Sequence, residues 1–348
     1  MTTRRDFLKT MTMASAGLAF GAGDLLGSPA SASQKKATDK VKIAYVGIGN
    51  RGEQIIGDFA RTGMVEVVAL CDVDMGAPHT QKVMNLYPKA KRFRDFRQMF
   101  DKAGNDFDAV AIATPDHSHF PISMLALASG KHVYVEKPLA RTFYEGELLM
   151  QAAMKHPNLA TQVGNQGHSE ANYFQFKAWM DAGIIKDVTA VTAHMNNPRR
   201  WHKWDTNIYK FPSGQQLPKD MDWDTWLGVT PYHEYNKDYH LGQWRCWYDF
   251  GMGCLGDWGA HILDTVHEFL ELGLPYEVSM KYANGHNDYF YPYSSTILFR
   301  FNVRVCRRLT SLGMMVWIIF LLSQPVMVYQ GLILISLPRI REIHLFLS

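Results

Sequence analysis

The chain has 348 residues, 47% of them apolar and 20% charged, and its formal net charge is +3. That length is sufficient for two domains, and the composition excludes a disordered, fibrous or disulfide-rich chain. So small a net charge gives no reason to expect nucleic acid as a partner. The cysteines show neither C-x-x-C spacing nor a histidine cluster, so no zinc or other metal site is expected.

Residues 1–33 predict an export signal that is separate from the fold. Arg4 and Arg5 precede a weakly apolar run, and Ala30-Ser31-Ala32 then forms a small-residue cleavage site. The pair of arginines resembles a twin-arginine signal, a route whose cargo is exported folded. We therefore expect a periplasmic or otherwise exported protein. The alternative is a basic N-terminus on a cytoplasmic protein.

Next comes a pattern of strand, glycine-rich turn and helix. The apolar run Val41–Val46 is followed by Gly47, Gly49 and Gly52 in G-x-G-x-x-G spacing, and then by apolar residues at helical spacing. Glycines so placed allow a tight turn, close approach of backbone to a pyrophosphate, and close packing of helix on strand. N–H groups at a helix N-terminus favour phosphate. The pattern predicts a Rossmann dinucleotide site.

A second strand, Val65–Cys71, ends in Asp72, which is 25 residues after Gly47. A carboxylate at this place typically accepts a hydrogen bond from the ribose 2′-OH. Asp74 adds a second negative charge with no Arg or Lys nearby, and two carboxylates would repel a 2′-phosphate. NAD is therefore favoured over NADP. The alternative is that Asp72 merely ends a strand.

Two further buried strands, Ala109–Ala113 and His132–Val135, end in polar residues. The carboxyl ends of parallel strands share one rim, where ligands bind. This rim is predicted to carry Thr114, Pro115, Glu136 and Lys137. Lys137–Pro138 is a candidate cis peptide. His117 and His119 are expected in a loop near the cofactor, before a helix from about Pro121 to Ser129.

The segments GIGNRG, ALCDVD, ATPDHSH and VEKPLA, in this order, resemble the Gfo/Idh/MocA family of NAD(P)-dependent sugar and inositol oxidoreductases. Downstream, QVGNQGHSEAN, MDWDTWLG and LGDWGAHILD are similar to exported bacteroidete members, so the resemblance covers about residues 40–301. It implies an α/β architecture: a doubly wound parallel Rossmann sheet in residues 40–160, and an α+β domain with an open, mostly antiparallel sheet in residues 161–301. That second domain would cover the nicotinamide and mediate oligomers. The residues predicted to contact the cofactor are Gly47, Gly49, Asn50, Arg51, Gly52, Asp72, Thr114, Pro115, His119, Glu136 and Asn165.

A helix from about Asp257 to Leu272 carries the predicted catalytic residues. Asp257, His261, Asp264 and Glu268 fall on one polar stripe, and the resemblance matches the first two to the family's D-x-x-x-H pair. Histidine suits the base that takes a proton from a hydroxyl, and a carboxylate one turn away can orient its ring or bind substrate. Lys137 can stabilise the developing alkoxide. The roles of Lys137 and His261 are open to exchange, and the alternative for the stripe is a solvated helix surface.

Two segments join arginines to tryptophans: NNPRRWHKW, residues 196–204, and GQWRCWYDFG, residues 242–251. Aromatic rings offer apolar faces for sugar rings, and arginines offer donors for hydroxyls. Arg200, Trp201, Trp244 and Arg245 are therefore predicted to contact substrate. An aromatic loop packed between subunits is an equal alternative.

Residues 302–348 differ in texture from the rest: they contain no Lys and no Asp. Their apolar stretch from Met314 to Leu337 is interrupted by Ser323, Gln324 and Pro325, so no membrane span is expected. Back-translated in another frame, GMMVWII encodes an Asp-Gly turn like the one the family carries after its ILFRF strand. We interpret the tail as aberrant and frameshifted, which would truncate the second domain at its last strands and leave STILFRF as an unpaired edge.

The favoured function is hydride transfer between nicotinamide and a secondary hydroxyl of a sugar, glycoside or cyclitol. The partner would be a small carbohydrate, and a homo-oligomer is expected if the second domain is complete. One alternative is an NAD-dependent glycoside hydrolase that works by transient oxidation, although that group lacks the lysine of the E-K-P element. The other is a non-functional truncated remnant.

Overall fold

A computed structural model describes residues 40–168, 170–195, 210–239, 243–285, 287–292, 294–303, 314–322 and 340–347. The predicted export signal and the two substrate candidates Arg200 and Trp201 lie outside these residues. Among the described cysteines, Cys71, Cys246 and Cys254 are buried thiols.

Six strands form a parallel sheet in the order β3-β2-β1-β4-β5-β6. Two runs of strands extend in opposite directions from the β1/β4 pair, which makes their carboxyl ends the topological switch point where ligands bind in such sheets. The strands are β1 Val41–Val46, β2 Val65–Cys71, β3 Lys91–Phe93, β4 Ala109–Ile112, β5 His132–Val135 and β6 Thr161–Val163.

Both faces of this sheet are buried. Alternate residues of β1 enter two separate apolar clusters: Ala44 and Val46 join one, Ile43 and Tyr45 the other. Side chains alternate between the two faces of a strand, so the helices cover both faces. The predicted doubly wound α/β architecture is therefore confirmed. The helices are α1 Arg51–Arg61, α2 Pro78–Leu86, α3 Phe96–Ala103, α4 Asp116–Ala128 and α5 Phe143–Lys155.

Helix α4 begins earlier than predicted. It starts at Asp116 and contains Pro121 in its interior. Proline is common in the first turn of a helix, so the sequence placed the helix start there. The prediction that His117 and His119 lie in a loop is wrong, because both are buried residues of α4.

The chain divides into two compact units that do not follow chain order. The first unit contains the residues up to Gly164, but also Pro212–Leu241 and Asp249–Gly251. The inserted segment is joined to the end of β2: the Asp222 N–H donates to the Val73 carbonyl at 2.8 Å, and Met221 forms an isolated bridge with Asp74. It also forms the short helix α7, Trp223–Leu227, which Asp222 caps. No pattern in the sequence predicts that this segment returns to the first unit.

The second unit contains a five-stranded sheet in the order β11-β7-β10-β9-β8. Strand β9 pairs antiparallel with β8 and with β10, whereas β7 pairs parallel with β10 and β11. Because β9 has neighbours on both sides, the prediction of an unpaired edge at STILFRF is wrong. The strands are β7 Ile185–Met195, β8 Glu277–Asn284, β9 Ser294–Val303, β10 Met314–Leu322 and β11 Ile340–Leu347.

Two helices pack within the second unit, α6 Ala171–Asp181 and α8 Ala260–Phe269. Val266 of α8 lies in an apolar cluster with Val188 and Val191 of β7, so this side of the helix packs on the sheet. A π-helical turn, Leu255–Gly259, precedes α8. Within the described part of the chain, no helix combines the length and apolarity that a membrane crossing requires.

Candidate functional site

The glycine-rich turn between β1 and α1 has no room for side chains. A Cβ on Gly52 would lie 2.0 Å from the Gly47 carbonyl oxygen, and one on Gly47 would lie 2.7 Å from the Ala113 backbone. Gly47 has a φ of +79° and Asn50, at the start of α1, a φ of +47°. The turn therefore presents backbone to the switch point, as a pyrophosphate cradle requires.

Asp72 holds this turn against the end of β2. Its two carboxylate oxygens accept the Ile48 N–H and the Asp74 N–H, each at 3.0 Å. The pKa of Asp72 lies above its ordinary value, because the raising effect of burial outweighs the lowering effect of the two N–H donors. The carboxylate thus has a positioning contact, and its ribose contact stays a prediction. The sequence did not single out His79, whose imidazole lies so close to Gly49 that a Cβ there would be 2.1 Å from it.

Glu136 connects the start of α1 with the end of β5. It is 5% exposed, and its Oε1 receives the Nε and Nη2 of Arg51 at 3.1 and 3.0 Å. The Tyr134 hydroxyl donates to the same oxygen at 3.1 Å, and burial together with the Glu136 charge raises the pKa of Tyr134 to about 12. Lys137 follows directly, and its bond to Pro138, a candidate cis peptide in the sequence, is cis.

His119 spans the ends of β4 and β5. Its Nδ1 is 2.7 Å from the Pro138 carbonyl oxygen and its Nε2 is 2.8 Å from the Thr114 carbonyl oxygen. Both ring nitrogens therefore face protein acceptors. Pro115 occupies the N-cap position of α4 and makes no side-chain capping hydrogen bond. The Thr114 hydroxyl is buried and has no hydrogen-bond partner among the described residues, which leaves a polar atom at the strand end for a ligand.

His117 plays a structural part in the first unit. Its Nδ1 is 3.2 Å from the Phe250 carbonyl oxygen and its Nε2 is 2.6 Å from that of Trp226. Burial lowers its pKa to about 4, so the imidazole is neutral near pH 7. It binds the inserted segment to α4.

In the second unit, Asp257 lies in the π-helical turn and His261 in the first turn of α8. The His261 Nδ1 is 3.4 Å from the Gln166 carbonyl oxygen. Asn165 donates its amide to the Ala260 carbonyl at 3.0 Å. Its Oδ1 is buried and lacks a partner within the described ranges. This is a second orphaned polar atom among the predicted cofactor contacts.

Trp244 and Arg245, the two described substrate candidates, are engaged within their own unit. Trp244 is 6% exposed, and the Arg245 guanidinium lies over its ring at 4.1 Å. The Arg245 Nε is 3.2 Å from Asp257 Oδ1. The two residues contact each other and Asp257, and their contact with substrate stays a prediction.

C-terminal to His261, α8 carries two further residues of the predicted polar stripe, Asp264 and Glu268. Asp264 Oδ2 lies 2.6 Å from Nδ1 of His168, and Tyr173 donates to Glu268 at 2.9 Å. The hydrogen bond to Asp264 raises the pKa of His168. In the sequence, His168 belongs to the family-like segment QVGNQGHSEAN, and no local signal predicts its pairing with Asp264.

The residues of the first unit fit a dinucleotide. The glycine turn leaves room for a ligand because it carries no side chains, and Thr114 Oγ1 at the end of β4 lacks a hydrogen-bond partner in the described part of that unit. Among the described residues, no group of three His, Cys, Asp or Glu is arranged to hold a metal ion.

Comparisons with known proteins point to one family. Residues 41–165 match the NAD-binding Rossmann-fold model of the Gfo/Idh/MocA oxidoreductase family, and residues 173–303 match that family's C-terminal α/β domain. An inositol 2-dehydrogenase of Salmonella paratyphi B is 28% identical over 191 residues, covering 54% of each chain. An α-N-acetylgalactosaminidase of Shewanella oneidensis is 30% identical over 161 residues, covering 41% of this chain and 35% of that one. The chain thus spans about half or less of the curated relatives it matches.

Solved structures share the fold. The WlbA dehydrogenase of Chromobacterium violaceum, solved with NADH and UDP-GlcNAcA, superposes with a TM-score of 0.59 at 17% identity. The match covers 83% of this chain and 69% of that one. At so low an identity, the likeness concerns architecture alone.

Proposed function

Because the chain belongs to the Gfo/Idh/MocA oxidoreductase family, we propose that it is an NAD-dependent oxidoreductase acting on a secondary hydroxyl of a sugar, glycoside or cyclitol. The observation that carries the proposal is the glycine turn at the topological switch point, where the packing around Gly47 and Gly52 leaves no room for a side chain. The carboxylates Asp72 and Asp74 at the end of β2 support NAD over NADP. When bound, NAD supplies the nicotinamide that accepts or returns the hydride.

His261 is proposed as the base. The tautomer that donates Nδ1–H to the Gln166 carbonyl, 3.4 Å away, carries its lone pair on Nε2. That nitrogen can accept the hydroxyl proton as hydride leaves the carbon. Lys137, an ammonium at the end of β5, is proposed to stabilise the alkoxide. Exchanged roles for the two residues remain the alternative assignment.

The test compares variants with matched controls. His261→Ala and Lys137→Met should each lower kcat by about 10²–10⁴ on an oxidisable carbohydrate, while nucleotide affinity stays within a few-fold. His267→Ala changes an exposed histidine of the same helix and should keep near-wild-type turnover. Absorbance of NADH reports activity, and calorimetric titration with NAD reports binding. Full activity in both site variants would refute these roles.

The second candidate is an NAD-dependent glycoside hydrolase. The similarity to an α-N-acetylgalactosaminidase supports it, whereas Lys137 in the E-K-P element favours net redox chemistry. Release of aglycone from a glycoside without net NADH, by protein that retains its nucleotide, would replace the first proposal with this one.

We further propose that the protein is exported and that residues 302–348 derive from a shifted reading frame. The ordered signal features of residues 1–33 support export, and fusion of these residues to a reporter in a strain lacking the twin-arginine translocase tests it.

The match to the C-terminal domain ends at residue 303, which supports the shifted reading frame. Resequencing codons 301–320 tests the shift, and an intact frame there, together with a soluble, NAD-loaded protein, would refute the idea of a remnant. A complete second domain would be expected to form a homo-oligomer, measurable by sedimentation.

A further inference from the structure

Asp257 and Arg245 form a buried ion pair in the second unit. The side chain of Asp257 is 4% exposed and that of Arg245 is 20% exposed, with 3.2 Å between Nε and Oδ1. A buried carboxylate stays ionised only if a cation or several donors compensate its lost hydration. Arg245 supplies a cation that does not titrate in the physiological range.

Trp244 fixes the position of that cation. The guanidinium carbon lies 4.1 Å from the centre of the Trp244 ring, a cation–π contact that favours a flat guanidinium over the ring face. Both residues belong to the short 3₁₀ turn Gln243–Cys246. The turn is tied down by the Tyr291 N–H, which donates to the Cys246 carbonyl at 2.9 Å. The Arg245 side chain is thus restrained by the Trp244 ring, and its backbone by the hydrogen bond between Tyr291 and Cys246.

The contact between Arg245 and Asp257 works through charge more than through an aligned hydrogen bond. The Nε of Arg245 is buried, and its direction does not satisfy hydrogen-bond geometry within the described chain, although its distance to Oδ1 is that of an ion pair. Such a contact keeps the carboxylate ionised and near the guanidinium.

We propose that Arg245 is a positioning residue, stacked on Trp244, that keeps Asp257 ionised and fixed in the π-helical turn one turn before His261. This rests on the proposed function for the role of Asp257 in the reaction. It replaces the substrate role predicted for Arg245, and it makes Trp244 a support for that residue rather than a platform for a sugar ring.

Steady-state kinetics across pH test the positioning role. In Arg245→Met, the acid limb of the kcat/KM profile should move to higher pH by about one to three units, because removing a nearby positive charge lets a carboxylate bind a proton more readily. The kcat should fall by about tenfold or more, while KM for the carbohydrate changes less than about threefold. Arg245→Lys keeps the charge but loses the stack and should give an intermediate shift.

Arg300→Met is the matched control, since Arg300 forms an ion pair with Glu277 on the sheet of the same unit. It should leave the acid limb in place. Trp244→Phe, which keeps an aromatic face, provides a milder variant if Arg245→Met does not fold. A rise in KM with unchanged kcat and an unmoved acid limb would show that Arg245 binds substrate, which would overturn the proposal.

A double-mutant cycle measured by thermal unfolding separates this proposal from the proposed function. Arg245→Met removes a positive charge from beside a buried carboxylate, so adding Asp257→Asn should recover part of the lost Tm. An additive cycle would overturn the pairing. A non-additive cycle in a protein that oxidises none of a panel of sugars and cyclitols would leave the pairing intact and overturn the proposed function.

Discussion

The two units hold their candidate site residues in different ways. In the first unit the partners are mostly backbone groups: Asp72 accepts N–H groups of the glycine turn, and His119 faces the carbonyls of Thr114 and Pro138. In the second unit the two carboxylates of α8 and its preceding turn have side-chain partners, Arg245 for Asp257 and His168 for Asp264, although His261 and Asn165 face backbone carbonyls. Backbone contacts are part of the fold, whereas side-chain pairs can be removed singly. Substitutions at the site of the first unit should therefore lower both stability and ligand binding. Substitutions at the side-chain pairs of the second unit should lower catalytic turnover before they lower stability.

The largest effect is expected at the glycine turn. A Cβ at Gly52 would overlap the Gly47 carbonyl at 2.0 Å, whereas nothing lies within 4 Å of one at Gly57 on the same helix. Gly52→Ala should abolish measurable NAD binding and cost about 1–3 kcal/mol or more of stability. Gly57→Ala should stabilise α1 by about 0.5–1 kcal/mol. Calorimetric titration and urea unfolding check both, and equal behaviour of the two variants would contradict a sterically closed turn.

A smaller effect is expected at Arg51. Its removal leaves Glu136, 5% exposed, with the Tyr134 hydroxyl but without its cation, so Arg51→Met should cost about 1–3 kcal/mol in urea unfolding. Arg61→Met is the control on the same helix, because its ion pair with Asp58 is exposed and should be worth less than about 0.5 kcal/mol. If the two variants lose the same stability, the Arg51–Glu136 contact does not anchor the end of β5.

The smallest effect is a pH dependence in the second unit. The Asp264 hydrogen bond raises the pKa of His168 above 6.5, so its contribution is fully present below pH 6.5 and is lost as pH rises through the raised value. The side chains are 42% and 28% exposed, which limits the contribution to a few tenths of a kcal/mol. The NMR titration of His168 should move toward pH 6.5 in Asp264→Asn. In Glu268→Gln it should move less, because Glu268 is 3.6 Å away. An unchanged titration in Asp264→Asn would show that the pair does not form in solution.

Local pattern predicted the strands of the first unit well. The bounds of β1, β2 and β5 agree with those expected from sequence, because each apolar run ends at a glycine, an aspartate or an adjacent pair of charges. The prediction is wrong where one signal has two meanings: Pro121 predicts a helix start, but it lies inside α4. The return of residues 212–241 to the first unit was also missed, since short aromatic segments carry no periodicity that assigns them to a domain.

The amino-acid sequence by itself determined the order of elements, the glycine turn and which polar residues stand at strand ends. These follow from steric limits and periodicities that act over a few residues. Only the tertiary structure decided which charge faces which partner. Arg51 and Glu136 are 85 residues apart in the chain, and His168 and Asp264 are 96 apart. Ion pairs form wherever packing brings side chains within about 4 Å. The residues between two such partners show no local pattern from which that proximity could be predicted.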